Sequence, residues 1–192
     1  MKVWNDYCIF ADIKTIIIQT MKHLILIAGF ALCFTATFAQ KKELKDFGKL
    51  PDITLKDDKG QPFSTKKITN NGKPIIITFW ATWCKPCIKE HDALNNVYDD
   101  WVKETGVKIF AVSIDDSRNV SRVKPMADGR GWDFTILSDV NQDLKRALNV
   151  NEPPHTFILD GNGTIRWQHV GYMDGGEKEY LEVVKQILNE KK

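Results

Sequence analysis

From residue 50 onward, two hydrophobic periods alternate along the chain. "PDITL" followed by "KDDKGQPF" reads as a short strand, a glycine turn and a second short strand. "KPIIITFW" is an unbroken apolar and β-branched run, the pattern of a central strand covered on both faces. The period then changes. Cys87, Ile88, His91, Leu94, Val97, Tyr98 and Trp101 recur at three and four residues, which predicts an amphipathic helix from Cys84 to about Glu104, ended by Gly106. "VKIFAVSI" (107–114) is a second buried strand. Asp116 or Ser117 can cap a helix carrying Val120 and Val123, and Pro125, Gly129 and Gly131 are expected to break up the segment beyond it. "FTIL" (134–137) is a further short strand, and "SDVNQDLKRAL" reads as a capped helix with Val140, Leu144 and Leu148 on one side. "HTFILD" and "TIRWQHV" are strands joined by "GNG", a hairpin signal. The tail puts Tyr180, Val184, Ile187 and Leu188 on one helix face.

The resulting order is β-β-β-α-β-α-β-α-β-β-α. Strands that alternate with helices and then close in a hairpin imply an α/β sandwich, with a mixed sheet and helices on both faces.

The first forty residues break this pattern. From Met21, "MKHLILIAGFALCFTATFAQ" has a short positive start, an apolar run over Leu24–Phe38, and small residues Thr37 and Ala39 ahead of a cleavage point. The apolar run is shorter than the ~20 residues of a spanning helix, which favours a cleaved signal over an anchor. Leu32 stands where lipidation of Cys33 would need a small residue. Residues 1–20 carry Asp6 and Asp12 and fit neither element, so Met21 is the expected biological start and 1–20 an upstream extension. The domain plan is therefore extension 1–20, signal 21–39, linker 40–47 and one folded domain 48–192.

Net charge is +2 with no basic stretch or acidic tail, which argues against a nucleic-acid partner. Export would leave Cys84 and Cys87 as the mature chain's cysteines. A disulfide between them closes so small a loop that it adds little stabilisation, so stability is a poor reason for the pair. Chemistry is a better one. A cysteine at a helix start meets unpaired N–H groups and the positive end of the dipole, and both favour thiolate. Lys85 adds a positive charge in the same sense. Pro86 is tolerated in the first turn, and Cys87 comes close enough after it for the two sulfurs to meet. Cys84 would attack and Cys87 would resolve the mixed disulfide. A metal alternative groups Cys84, Cys87, His91 and His155, but the sequence lacks the second C-x-x-C or the H-x₃₋₅-H pair of a structural zinc site.

"WCKPC" between a buried strand and a helix resembles the thioredoxin superfamily. "FWATWCKPCIKE" and "PPHTFILDGNGTIRWQHVG" together resemble its TlpA/ResA-like exported thiol–disulfide oxidoreductases, over roughly residues 48–190. The resemblance implies a thioredoxin-like three-layer sandwich with an N-terminal β-hairpin and a helix–strand insertion at 116–138. It makes Pro154 a cis-proline facing the cysteine pair, puts His155 near the sulfurs, and places Trp83 on the active-site rim. It implies no cofactor, protein disulfides or dithiols as substrates, a membrane thiol as electron donor, and membrane contact through the signal or anchor alone. There are departures. Thioredoxin's buried Asp six residues before the first cysteine is Thr78 here. Glu90 matches the branch's acidic residue, to be weighed against a solvated helix charge. Asp92 replaces a common proline, and "HTF" replaces "TTF". A thioredoxin-fold copper chaperone is the alternative. A peroxiredoxin-type peroxidase is disfavoured because Ala81 and Ile77 stand where its P-x-x-x-T-x-x-C frame needs Thr and Pro.

N-terminal sequencing of the exported protein should find Gln40 as the first residue. A mature chain beginning near Met1 would contradict the signal assignment.

Overall fold

The computed structural model describes residues 43–190; the extension and signal expected at 1–39 lie outside the described residues. Seven strands form one sheet, in the order β2-β1-β5-β4-β3-β6-β7. These are β1 (Thr54–Lys56), β2 (Pro62–Ser64), β3 (Gly72–Trp80), β4 (Lys108–Ser113), β5 (Thr135–Ser138), β6 (His155–Gly161) and β7 (Ile165–Val170). Among the described residues four α-helices accompany them: α1 (Lys85–Thr105), α2 (Val123–Arg130), α3 (Asp143–Ala147) and α4 (Glu177–Glu190). Element order and fold class match the sequence reading.

The sheet is mixed. β3, β4 and β5 run parallel, while β6 pairs antiparallel with β3 and β7. β3 is the centre. Every residue from Pro74 to Trp80 is buried whichever way it points, so the sheet is covered on both faces there. That is why this segment reads as a continuous apolar run rather than an alternation.

α1 buries Cys87, Glu90, His91, Leu94, Trp101 and Thr105 along one side. Gly106 stops it in the left-handed conformation (φ 68°), returning its N–H to Val102 O at 2.8 Å. α4 buries Tyr180, Val183, Val184 and Ile187. Glu90 on α1 touches Thr78 of β3, Thr156 of β6 and Tyr180 of α4, so these two helices share a face of the sheet.

Two local expectations are corrected. Pro125 and Gly129 do not interrupt α2, which runs through both and stops at Gly131 (φ 65°). Pro125 is the third helical residue, where a missing N–H leaves no hydrogen bond unmade. The helix expected across "SDVNQDLKRAL" shrinks to Asp143–Ala147, because Asp139 turns back to accept the N–H groups of Asp143 and Lys145 at 2.8 Å each. Of its three apolar positions, Leu144 alone is fully buried. The end of the expected linker is not free: Lys45 N–H and Phe47 N–H donate to Arg166 O and Ile165 O, and Lys49 bridges Thr164. These residues cover the outer edge of β7 at its start, over Ile165 and Arg166.

Candidate active site

β3 ends at Trp80, and Ala81–Trp83 carries the chain to α1. Cys84 N–H donates to Ala81 O at 3.0 Å, which turns the chain into the helix. Cys84 is the N-cap, with extended backbone, and its Sγ accepts the N–H of Cys87 at 3.3 Å. A sulfur thus occupies the place usually taken by a Ser or Asp oxygen, on one of the donors that a helix start leaves unpaired. Lys85 and Pro86 come next in the first turn, both exposed. The Cys84–Cys87 disulfide spans Cα atoms 5.3 Å apart.

Exposure around the pair is graded. Trp83 is 63% exposed, Cys84 5% and Cys87 0%. A reagent arriving from solvent meets Trp83 first, then Cys84. The Pro153–Pro154 peptide is cis. Phe79 pairs with His155, which sets Pro154 level with the end of β3, where the cysteine loop leaves the sheet. Pro154 O accepts the N–H of Gly171 at 2.7 Å.

Glu90 lies one turn beyond Cys87 on the buried side of α1, with none of its surface exposed. Thr78 donates to Oε2 at 3.0 Å. Thr156 and Tyr180 donate to Oε1 at 2.9 and 2.6 Å. No cation accompanies these bonds among the salt bridges of the described residues. Burial raises the Glu90 pKa, and the three hydroxyl bonds pull against it. Burial and the neighbouring Glu90 carboxyl also hold the Tyr180 hydroxyl far above its ordinary range, so it stays a donor. The solvated alternative for Glu90 is excluded.

Thr156 and Tyr180 carry no signal in the sequence for this role. They lie 66 and 90 residues from Glu90, and Tyr180 reads as one more member of an apolar stripe.

His91 is fully buried, edge-on to Trp80, Trp132 and Phe134, with Nε2 3.4 Å from Thr78 Oγ1. Burial lowers its pKa to about 3, so the ring is neutral. His155 stacks on Phe157, and its Nε2 lies 3.0 Å from Gln168 Oε1. The pleat turns Thr156 towards Glu90 and therefore His155 and Phe157 to the opposite face. Burial lowers the His155 pKa as well. The two imidazoles thus have separate partners on separate faces. Among the described residues no group of three or more His, Cys, Asp or Glu side chains converges as a metal site.

The AhpC/TSA family model matches residues 48–168. The thiol-disulfide oxidoreductase ResA of Geobacillus thermodenitrificans (strain NG80-2) is 31% identical over 175 residues, covering 90% of this chain and 97% of that protein. Among solved structures, an uncharacterized thioredoxin-like protein from Porphyromonas gingivalis is 48% identical, with a TM-score of 0.67, over 76% of this chain and 95% of that one. StoA from Bacillus subtilis is 26% identical, with a TM-score of 0.56, over 71% and 97%.

The raised pKa of Glu90 ties stability to pH. A carboxyl whose folded pKa lies above its ordinary value of 4.5 contributes fully below that value, and the contribution is lost as pH rises through the folded pKa. Glu90→Gln keeps the neutral form and removes this loss. Urea unfolding at about pH 5 and about pH 8 should show a smaller fall in stability for the variant than for the native chain. Equal falls would contradict the burial assignment.

Proposed function

The chain belongs to the AhpC/TSA family and is a thiol–disulfide oxidoreductase, and from its site we infer a division of labour in which Cys84 attacks, Cys87 resolves and the protein works as a reductase in the cell envelope. The observation that carries this reading is the N-cap placement of Cys84 together with the exposure step from Cys84 to Cys87.

In the reduced protein the Cys84 thiolate attacks one sulfur of a partner disulfide. A Cys84–partner disulfide forms, the partner's own S–S bond breaks, and the departing sulfur leaves as a thiolate that takes a proton from water. Cys87 then loses its proton and attacks Cys84 Sγ. The Cys84–Cys87 disulfide closes and the partner's second sulfur is released. Two electrons have passed from the dithiol to the partner. Glu90 is the buried group on Cys87's own helix face suited to accept the Cys87 proton, since its raised pKa makes it a better base than an ordinary carboxylate. Trp83 forms an exposed apolar rim for the partner, and Pro154 lies level with the end of β3. Lys85 and Pro86 shape the first turn. His155 follows Pro154 at the start of β6, stacked on Phe157.

Export rests on the signal layout at residues 21–39. Among the described residues no helix is long and apolar enough to cross a membrane. With no cofactor motif in the sequence, electrons come from a partner protein, a membrane thiol donor in this reading.

Lys85 and the helix end stabilise the thiolate, which alone pushes towards an oxidant; the reductase reading requires the buried Glu90 carboxyl to oppose it. Equilibration with glutathione should give a potential below about −230 mV, within a range for this fold of about −120 to −270 mV. Cys84→Ser and Cys87→Ser should each abolish catalysed reduction of insulin disulfides. A potential near −120 mV would overturn the direction, and full activity in both variants would overturn the chemistry.

A further inference from the structure

The loop that delivers Cys84 is held by a side chain from another strand. Asp115, 1% exposed, stands two residues past the end of β4. Its Oδ2 accepts the backbone N–H of Thr82 at 2.8 Å, and its Oδ1 accepts the Thr82 hydroxyl at 2.7 Å. Asp115 is itself fixed. Ser113 Oγ donates to Oδ2 at 2.8 Å and accepts the Asp115 N–H at 3.0 Å. β3 and β4 are parallel neighbours with Trp80 beside Ser113, and Ile114 N–H donates to Trp80 O at 2.8 Å. Both ends of the tie are therefore rooted in the two central strands. It ends two residues before Cys84.

We propose that Asp115 is a positioning residue for Cys84, acting through Thr82, and that its hold matters most in the reduced protein; this rests on Cys84 being the nucleophile. In the oxidised protein the disulfide itself ties Cys84 to α1. Reduction breaks that bond and converts both sulfurs to thiols. Sγ then stays at the helix end only as far as the loop's own geometry keeps it there. That geometry includes the Cys84 N–H bond to Ala81 O, the Ile88 N–H bond to Cys84 O at 3.1 Å, and, on the loop side, the two bonds from Thr82 to a carboxylate, which are of the stronger, charge-assisted kind. If the loop loosens, the sulfur drifts from the N–H of Cys87 and from the positive end of the helix, and the thiolate loses the support that makes it reactive.

Asp115 has a second, opposing influence. A negative charge near Cys84 disfavours thiolate, whereas the clamp favours it. The sign of the effect on Cys84 therefore separates the two. Thr82→Val cuts the clamp without altering any charge. Asp115→Ala removes clamp and charge together. Thr82→Ser keeps the hydroxyl.

The deciding measurement is the rate of Cys84 alkylation by iodoacetamide against pH in the reduced protein, with the modified residue identified by mass. Thr82→Val and Asp115→Ala should both move Cys84 ionisation to higher pH. The shift should lower the thiolate fraction near neutrality by up to roughly tenfold, the equivalent of one pKa unit. Thr82→Ser should restore the native profile. A shift to lower pH in Asp115→Ala with no change in Thr82→Val would show Asp115 acting as a charge alone and overturn the proposal. Lowered unfolding temperatures with native Cys84 profiles in both variants would overturn it too, by leaving a purely structural role. If Asp115→Ala does not fold, Thr82→Val decides. The readout needs no protein substrate. A native chain inactive towards insulin would sink the exchange reading and leave the clamp standing, so the two failures are distinguishable.

Discussion

A helix start leaves N–H groups without partners, and in this chain a sulfur accepts one of them. The rest of the site depends on that placement. It puts Cys84 at the positive end of α1, where a thiolate is favoured, and it sets Cys87 one turn further in, on the face that packs against the sheet. The central strand β3 makes the placement possible. Its burial fixes where Trp80 ends, and therefore where the loop must turn.

Beneath the helix start the polar groups are arranged at some cost. Glu90 is buried, with no cation paired to it among the described residues, and is held by three hydroxyls from β3, β6 and α4. Leaving any of those hydroxyls out would leave a buried carboxyl short of a partner, at a cost of about 1–3 kcal/mol or more. The bonds therefore also fix how α1 and α4 sit on the sheet. Thr78 of the central strand serves as a donor to the acid supplied by α1.

Much of this was legible in the sequence, because it was written in short-range patterns. The apolar run Ile75–Trp80, the three-and-four spacing after Cys84, and Gly106 at its end each fix an element locally. Pro154 was legible through its resemblance to a known frame, and its peptide is cis. What escaped depended on residues far apart in sequence, or on exact position within a turn. Glu90 read equally well as a solvated charge because Thr156 and Tyr180, which hold it, are distant and carry no mark. Asp115 carries no mark in the sequence, because Thr82, which it holds, lies 33 residues away. Pro125 and Gly129 looked like breaks, since the pattern does not say that Pro125 falls in the first turn of α2. For His155 the sequence does not show that strand alternation turns its ring onto Phe157 and Gln168. The difference between Thr156 and His155 is one residue of register, which is enough to move a side chain to the other face.

We infer that the two cysteines have different jobs because one caps the helix and the other is sealed beneath it. Trapping the mixed disulfide tests this most directly. Reduced Cys87→Ser, offered a disulfide-containing peptide, should accumulate a stable adduct that mass analysis assigns to Cys84, while reduced Cys84→Ser under the same conditions should accumulate none. An adduct on Cys87 in the Cys84→Ser protein, formed as fast as the one on Cys84, would contradict the account.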